Sequence, residues 1–272
     1  MRLSLLFCLL LFSACRPDGP ALHGRLDIGS GDSVGFSFHA DGTLSGMNGS
    51  QPITASTTID GAILLRVDSV GAGGLVWIYS TPRLVVRSKM AGTPDLADST
   101  PVAPVRFVTD NSGRPIGRDS LGINLGGIGM MVHGDVRHMF LPAQIGERKV
   151  GESWSDARVD TVYDGPLPGV NHTSRKYTYD GLVDTLDGSM ARITSVTTIL
   201  TEPLVPSDSA VGQIRATTTT SASNYYAIDD GLLMLIRSES VIGIRPLAAD
   251  PASPPTVTQT LRMLMTRNRK AR

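Results

Sequence analysis

The sequence is poor in cysteine and has no net charge. Cys8 and Cys15 are its two cysteines among 272 residues, and 25 Lys and Arg balance 25 Asp and Glu. We expect Cys8 to be lost with an N-terminal signal, which would leave Cys15 alone and exclude an intrachain disulfide. A neutral surface has no electrostatic attraction for nucleic acid, so we predict no nucleic-acid partner.

Helical periodicity and long apolar runs are scarce as well. The apolar run from Leu3 to Phe12 is too short for a membrane-spanning helix, which takes about 20 residues. Apolar residues recur at three- and four-residue steps only in one central stretch. These absences exclude a helical bundle and favour β structure.

What is present at the N-terminus indicates export. Arg2 precedes the apolar run, and Ser13 and Ala14 are the small residues that a signal peptidase requires. Phe12-Ser13-Ala14-Cys15 resembles the lipobox of bacterial lipoproteins, in which the cysteine after the cleavage site is lipidated. We therefore predict a signal peptide over residues 1–14, lipidation of Cys15 and a location at the periplasmic side of the outer membrane; the alternative is an ordinary secretory signal.

The rest of the chain is predicted to form one domain. Residues 15–22 have the composition of a lipidated tether, and residues 23–268 of a single β-rich domain. Halves of about 23–118 and 141–268 repeat strand-like runs and Gly-marked turns, which leaves an internal duplication open. A connector over residues 119–140 joins them.

Alternating apolar and Thr/Ser residues predict long antiparallel strands with one apolar and one solvated face. Residues 70–74 predict a hairpin turn, and the remaining turn signals are Asp41-Gly42, Asp110 to Gly113, Asp187-Gly188 and Asp229 to Gly231. The predicted fold is mainly β: a large curved antiparallel sheet, or half-barrel, with a short helical connector.

The connector is rich in glycine and methionine. Methionine is adaptable and common on surfaces that bind varied apolar partners, so the connector predicts a hydrophobic ligand groove; core filling under the curved sheet is the alternative. The candidate ligand-binding residues are Leu125, Ile128, Met130, Met131, Met139 and Phe140.

Two short motifs after the connector carry a family resemblance. Phe140-Leu141-Pro142 and Val150-Gly151-Glu152-Ser153-Trp154 resemble a group of uncharacterised bacterial lipoproteins whose layout is similar to the LolA/LppX half-barrel. The resemblance implies an envelope location and a lipid-like ligand, and it carries over no catalytic residue. Gly151 is predicted to form a tight turn and Trp154 to anchor the next strand in the core.

Catalytic and metal motifs are weak. Gly31-Asp32-Ser33-Val34-Gly35 fits the string of a serine-hydrolase elbow, but strand residues follow the serine where the elbow requires a helix. His133, Asp135 and His138 lack the spacing of a helical metal site. We predict no enzyme activity, no metal and no cofactor. The predicted function is binding of a lipid or other apolar molecule, and the alternative is a structural lipoprotein with a filled core.

Overall fold

The fold is one antiparallel sheet. The computed structural model describes residues 26, 28–48, 50–90, 96–98, 102–111, 113–114, 116, 139–142, 145, 148–162, 169–185, 188–204, 214–250 and 252–268, and none of these lies in an α-helix. The strands are β1 (Ser33–Asn48), β2 (Gln51–Gly71), β3 (Gly74–Met90), β4 (Leu96–Asp98), β5 (Val102–Thr109), β6 (Ser153–Val162), β7 (Gly169–Thr185), β8 (Gly188–Pro203), β9 (Ile214–Ala227), β10 (Leu233–Pro246) and β11 (Val257–Arg267). The predicted mainly β fold is confirmed.

The order of the strands brings the two ends of the described chain together. The sheet runs β4-β3-β2-β1-β11-β10-β9-β8-β7-β6, with β5 beside β4 on the same edge of β3. Each neighbouring pair is antiparallel, and β1 pairs with β11 along Phe36 to Gly46. The two sequence halves therefore lie side by side in one curved sheet that is not closed among the described strands.

Alternation along each strand decides which face is buried. On β7 the odd-numbered residues up to Gly181 are buried and most even-numbered residues are exposed, as a strand with one covered face requires. We call the covered face, which carries Tyr177 and Tyr179, the inner face and the opposite one the outer face. Burial of the inner apolar side chains supplies about 25 cal/mol per Å² of apolar surface removed from water.

Large apolar side chains gather at one end of the inner face. This apolar end is formed by residues of β3, β5, β9 and β10, of the turn between β9 and β10, and by Phe140 and Ile145, which precede β6. Its fully or nearly fully buried members include Trp77, Phe107, Phe140, Ile145, Tyr226, Leu232 and Leu233. An isolated bridge between Phe140 and Leu232 ties the segment to the β9–β10 turn.

Most predicted turns are confirmed. Ala72 and Gly73 join β2 to β3, and Asp230 lies in the β9–β10 turn before Gly231, which has a φ of 68°. Gly151 forms the predicted turn with a φ of 88°, and Trp154 is buried behind it. A positive φ favours glycine because it has no Cβ.

The predicted hairpin at Asp41-Gly42 is wrong. Both residues lie inside β1, where Asp41 pairs with Thr58 and Arg262, and Gly42 with Thr57 and Leu261. An Asp-Gly pair favours a turn when its flanking strands pair with each other. Here both flanks pair with β2 and β11 instead, so the backbone stays extended.

The strand β3 is continuous although it contains Pro82. It runs from Gly74 to Met90 with a register shift against β2 between Ala62 and Leu64. A bulge lets the strand pass Pro82, which has no backbone N–H to donate, without ending.

Among the described residues, no helix is long and apolar enough to cross a membrane.

Candidate functional site on the inner face

The predicted ligand-binding residues that the structure describes lie in the core. Met139 and Phe140 are both buried. The Phe140 ring meets Trp77 edge-on at 5.2 Å between centroids and Phe107 at 6.3 Å. Leu125, Ile128, Met130 and Met131 lie outside the described residues, as do Cys15 and the residues His133, Asp135 and His138.

A row of polar side chains crosses the inner face. Its members are successive cross-strand partners on β6 to β10: Asp156, Arg175, Thr197, Thr220 and Ser240. We call this set the polar row. The hydroxyls of Thr220 and Ser240 lie 2.8 Å apart, so neighbouring strands are joined by side chains as well as by backbone.

Arg175 is the central member of the polar row. It is only 3 % exposed, and it donates from Nε to Thr197 Oγ1 at 3.1 Å and from Nη1 to Tyr177 Oη at 2.9 Å. A buried cation is costly unless its donors are satisfied, so these oxygens help to hold the guanidinium on the inner face. The arrangement offers a positive charge where the neighbouring core is apolar.

Aromatic rings support Arg175 from the side of the β6 edge. Its guanidinium lies 5.8 Å from the centroid of the Tyr177 ring, which stacks on Trp154 at 5.2 Å. The guanidinium of Arg148 lies 5.7 Å from the centroid of the Trp154 ring. Cation–π contacts and ring stacking restrict the side chains, so Arg175 is held in one orientation.

More polar groups lie along the strands on both sides of the polar row. Nearer the start of β7, Thr201 donates to Asn171 Oδ1 at 2.7 Å. Toward the apolar end, Asn224 is 1 % exposed and donates from Nδ2 to the Ser195 hydroxyl at 3.2 Å, whereas its Oδ1 has no hydrogen-bond partner among the described residues. A buried acceptor without a partner is rare in folded proteins, and it is a position where a ligand donor would be stabilised.

This arrangement combines hydrogen-bonding side chains with the guanidinium of Arg175 and the carboxylate of Asp156, its cross-strand partner. Among the described residues, no group of three His, Cys, Asp or Glu side chains could hold a metal ion. Ser33 is exposed at the start of β1 and is followed by strand, not by the helix of a nucleophile elbow.

The sequence did not predict the polar row. Alternation was expected to give an apolar inner face, yet Thr173, Arg175 and Thr197 are buried on it. The sequence does contain a signal for Arg175, because this residue is two positions from Tyr177 and four from Tyr179 and therefore shares their face of the strand. A charged residue that alternates with buried aromatic residues in this way indicates a cation on the inner face.

A separate network of charged residues lies on the outer face. His39 contacts Asp60 Oδ1 through Nδ1 at 2.8 Å and Asp41 Oδ2 through Nε2 at 3.0 Å, and Arg87 donates to Asp60 Oδ2 at 2.9 Å. The hydrogen bond with Asp60, followed by that with Asp41, raises the pKa of His39 above 6.5. The hydrogen bond with His39 lowers the pKa of Asp60, with Arg87 contributing less.

We expect the ring of His39 to titrate above 6.5 by NMR and its pKa to fall in Asp60→Asn, because the strongest acceptor for the imidazolium loses its charge. Because the pKa of His39 is raised in the folded protein, protonated His39 stabilises the fold. This stabilisation is fully present below the pKa that His39 has in the unfolded chain and is lost as the pH rises through its pKa in the folded protein. Asp41→Asn, as the matched variant, should lower the pKa less. An unchanged His39 titration in Asp60→Asn would contradict the network.

Neither a protein-family model nor a curated protein matches the sequence. Solved structures with some likeness include DynF from the dynemicin biosynthesis pathway of Micromonospora chersina, at 6 % identity, 93 % of this chain, 90 % of that chain and a TM-score of 0.26. An outer membrane channel from Pseudomonas putida F1 has 8 % identity over 90 % of this chain and 98 % of its own, with a TM-score of 0.26. Salmonella typhi OmpF in complex with daunomycin has 8 % identity over 88 % and 98 %, with a TM-score of 0.21. At these TM-scores the likenesses do not assign a function.

Proposed function

We propose that this protein is a lipid-anchored, non-enzymatic protein of the bacterial cell envelope that holds an amphipathic, lipid-like molecule against the inner face of its sheet. The observation that carries the proposal is the position of the buried Arg175, which donates to Tyr177 Oη where the buried apolar cluster of the same face begins. The N-terminal segment ending in Cys15 supports the envelope location and the membrane anchor.

The two zones of the inner face correspond to the two parts of such a molecule. Transfer of an acyl chain from water to an apolar surface is favourable by about 0.8 kcal/mol for each buried CH₂ group. A phosphate or carboxylate headgroup would be stabilised by the Arg175 guanidinium, since a hydrogen bond to a charged group contributes about 1.5–3 kcal/mol. Hydroxyls of Thr197 and Thr220 supply further donors along the polar row.

Replacing Arg175 by methionine tests this assignment. The variant keeps much of the side-chain volume but removes the charge, so we expect the amount of lipid that co-purifies with the full chain from bacterial membranes to fall by about tenfold or more. Native mass spectrometry and lipid extraction measure the loss. Lys176→Met is the matched control, because Lys176 is the next cation on β7 and is exposed on the outer face.

Further readouts separate binding from folding. Arg175→Lys keeps the charge and should retain part of the lipid, and circular dichroism reports whether each variant keeps its strands. Equal lipid loss in Lys176→Met and Arg175→Met would contradict the headgroup role.

Intact mass spectrometry of the purified protein tests the lipid anchor. We expect a chain that begins at an acylated Cys15, and a chain that still begins at Met1 would contradict the anchor.

A structural lipoprotein with a filled core is the second candidate. The contacts of Phe140 with Trp77 and Phe107 favour it, because at that end the protein's own rings occupy the space beneath the sheet. A lipid-free mass for the unmodified chain, with no uptake of added phospholipid or fatty acid, would support this candidate and overturn the first.

A further inference from the structure

Asn224 is a buried polar residue whose side chain is only partly hydrogen-bonded. It lies on the inner face of β9 and is 1 % exposed. Its Nδ2 donates to the backbone carbonyl of Ile193 at 3.2 Å and to the Ser195 hydroxyl at 3.2 Å, whereas its Oδ1 has no hydrogen-bond partner among the described residues. Leaving a buried acceptor unpaired is costly, so a group that donates to Oδ1 is stabilised there.

The contacts of the Asn224 amide fix its orientation. The carbonyl oxygen of Ile193 can only accept a hydrogen bond, so it must face Nδ2 and not Oδ1. Turning the amide around would place two acceptors against each other and leave both hydrogens of Nδ2 without this partner. The atom that lacks a partner is therefore the acceptor Oδ1.

The Ser195 hydroxyl adds a donor beside this acceptor. Its oxygen accepts from Asn224 Nδ2, and its own hydrogen is donated to no acceptor among the described residues. The two side chains therefore present one acceptor and one donor. A single hydroxyl group complements both, because it donates one hydrogen bond and can accept another, whereas a protonated amine can only donate.

Asn224 lies between the polar row and the apolar end. Along the inner face of β9, Thr220 of the polar row, Ala222, Asn224 and Tyr226 of the apolar end follow one another at two-residue steps. Asn224 is four residues from Thr220, or roughly 13 Å at the rise of a strand. A lipid with its headgroup on the polar row and its chain directed to the apolar end would pass Asn224 partway along the chain.

We propose that Asn224 and Ser195 form a subsite for a hydroxyl group in the acyl chain of the bound lipid. The inference rests on the proposed lipid-binding function and narrows its ligand to a lipid with a hydroxylated chain. The ligand hydroxyl donates to Asn224 Oδ1 and accepts from Ser195. A plain chain leaves Oδ1 unpaired and is therefore bound less tightly, as expected for a site with buried polar groups.

Competition between two fatty acids tests the subsite. The full chain, purified in detergent and stripped of bound lipid, is offered equal amounts of stearic acid and of its derivative with a hydroxyl group in the middle of the chain. The bound fraction is extracted and quantified by mass spectrometry. We expect the hydroxylated acid to be preferred by about threefold to tenfold, the effect of one net hydrogen bond.

Asn224→Leu is the diagnostic variant. Leucine has a similar shape but cannot accept a hydrogen bond, so we expect both acids to bind and the preference to disappear; circular dichroism checks that the strands are kept. Thr218→Val is the matched control. Thr218 lies on the same face of β9, six residues from Asn224, with Ile199 and Ile242 as its cross-strand partners, so the preference should be unchanged.

Arg175→Met separates this inference from the proposed function. Loss of the guanidinium should weaken the binding of both acids but leave their ratio unchanged, because the two positions are distant on the sheet. If neither acid binds the unmodified chain, the proposed function and the subsite both fail. If the unmodified chain binds both acids equally, or the preference survives in Asn224→Leu, the subsite alone is overturned, and a water molecule is then the partner of Oδ1.

Discussion

Replacing Trp77 by alanine is expected to lower the free energy of unfolding by about 3–5 kcal/mol, the usual loss when a buried aromatic side chain is truncated. Trp77 is fully buried, its indole N–H donates to Thr109 Oγ1 at 2.9 Å, and its ring stacks on Phe107 at 6.2 Å. Truncation removes the ring from between β5 and Phe140 and leaves the Thr109 hydroxyl without its donor. Urea unfolding followed by circular dichroism measures the loss.

Two matched variants separate the causes of that loss. Trp77→Phe keeps an aromatic ring but removes the hydrogen bond, so it should cost about 1–3 kcal/mol. Val159→Ala, at an exposed position, should change the free energy of unfolding by no more than about 0.5 kcal/mol. A loss below about 1 kcal/mol for Trp77→Ala would mean that Phe107 and Phe140 do not depend on this ring.

Replacing Gly74 by alanine is expected to destabilise the protein by about 4 kcal/mol or more, at the upper end of what single substitutions do. Gly74 has a φ of 126°, and a Cβ added there would lie 1.9 Å from the Thr109 carbonyl oxygen. The methyl group is therefore strained by its backbone conformation and also blocked by the backbone of β5. Relief requires β5 to move away from β3, which would carry Phe107 off Trp77.

Gly73→Ala is the control for Gly74→Ala. Gly73 lies in the same turn, but nothing lies within 4 Å of an added Cβ there. We expect a change in the free energy of unfolding within about 0.5 kcal/mol. If both variants lost the same stability in urea unfolding, the close approach of Thr109 would not be the cause.

Local pattern was sufficient for most strands of this protein. On β7 and β8 the period of two is regular, and Gly188 begins β8 with a φ of 117° at the predicted turn. The same reasoning failed at Asp41-Gly42, because an Asp-Gly pair has the same local preference in a turn and inside a strand with partners on both sides. Only the pairing of β1 with β2 and β11 distinguishes the two cases.

The candidate site was less accessible to sequence reasoning. The connector directed attention to Met139 and Phe140, which pack into the apolar end, while the polar row on β6 to β10 was not predicted. Its members are far apart in sequence, and Arg175 and Thr197 become neighbours only through the register of β7 against β8. Composition carries no information on such a register.

The sequence by itself determined most of the strand segments, the glycine turns at Gly151, Gly188 and Gly231, and which side of the regularly alternating strands is buried, because these depend on residues within a few positions of one another. Tertiary structure alone decided that β1 lies beside β11, that Phe140 fills the space against Trp77, and that Arg175 lies beside Thr197 on the inner face. These contacts join residues distant along the chain, and their free energy comes from packing and hydrogen bonds that exist only once the sheet has formed.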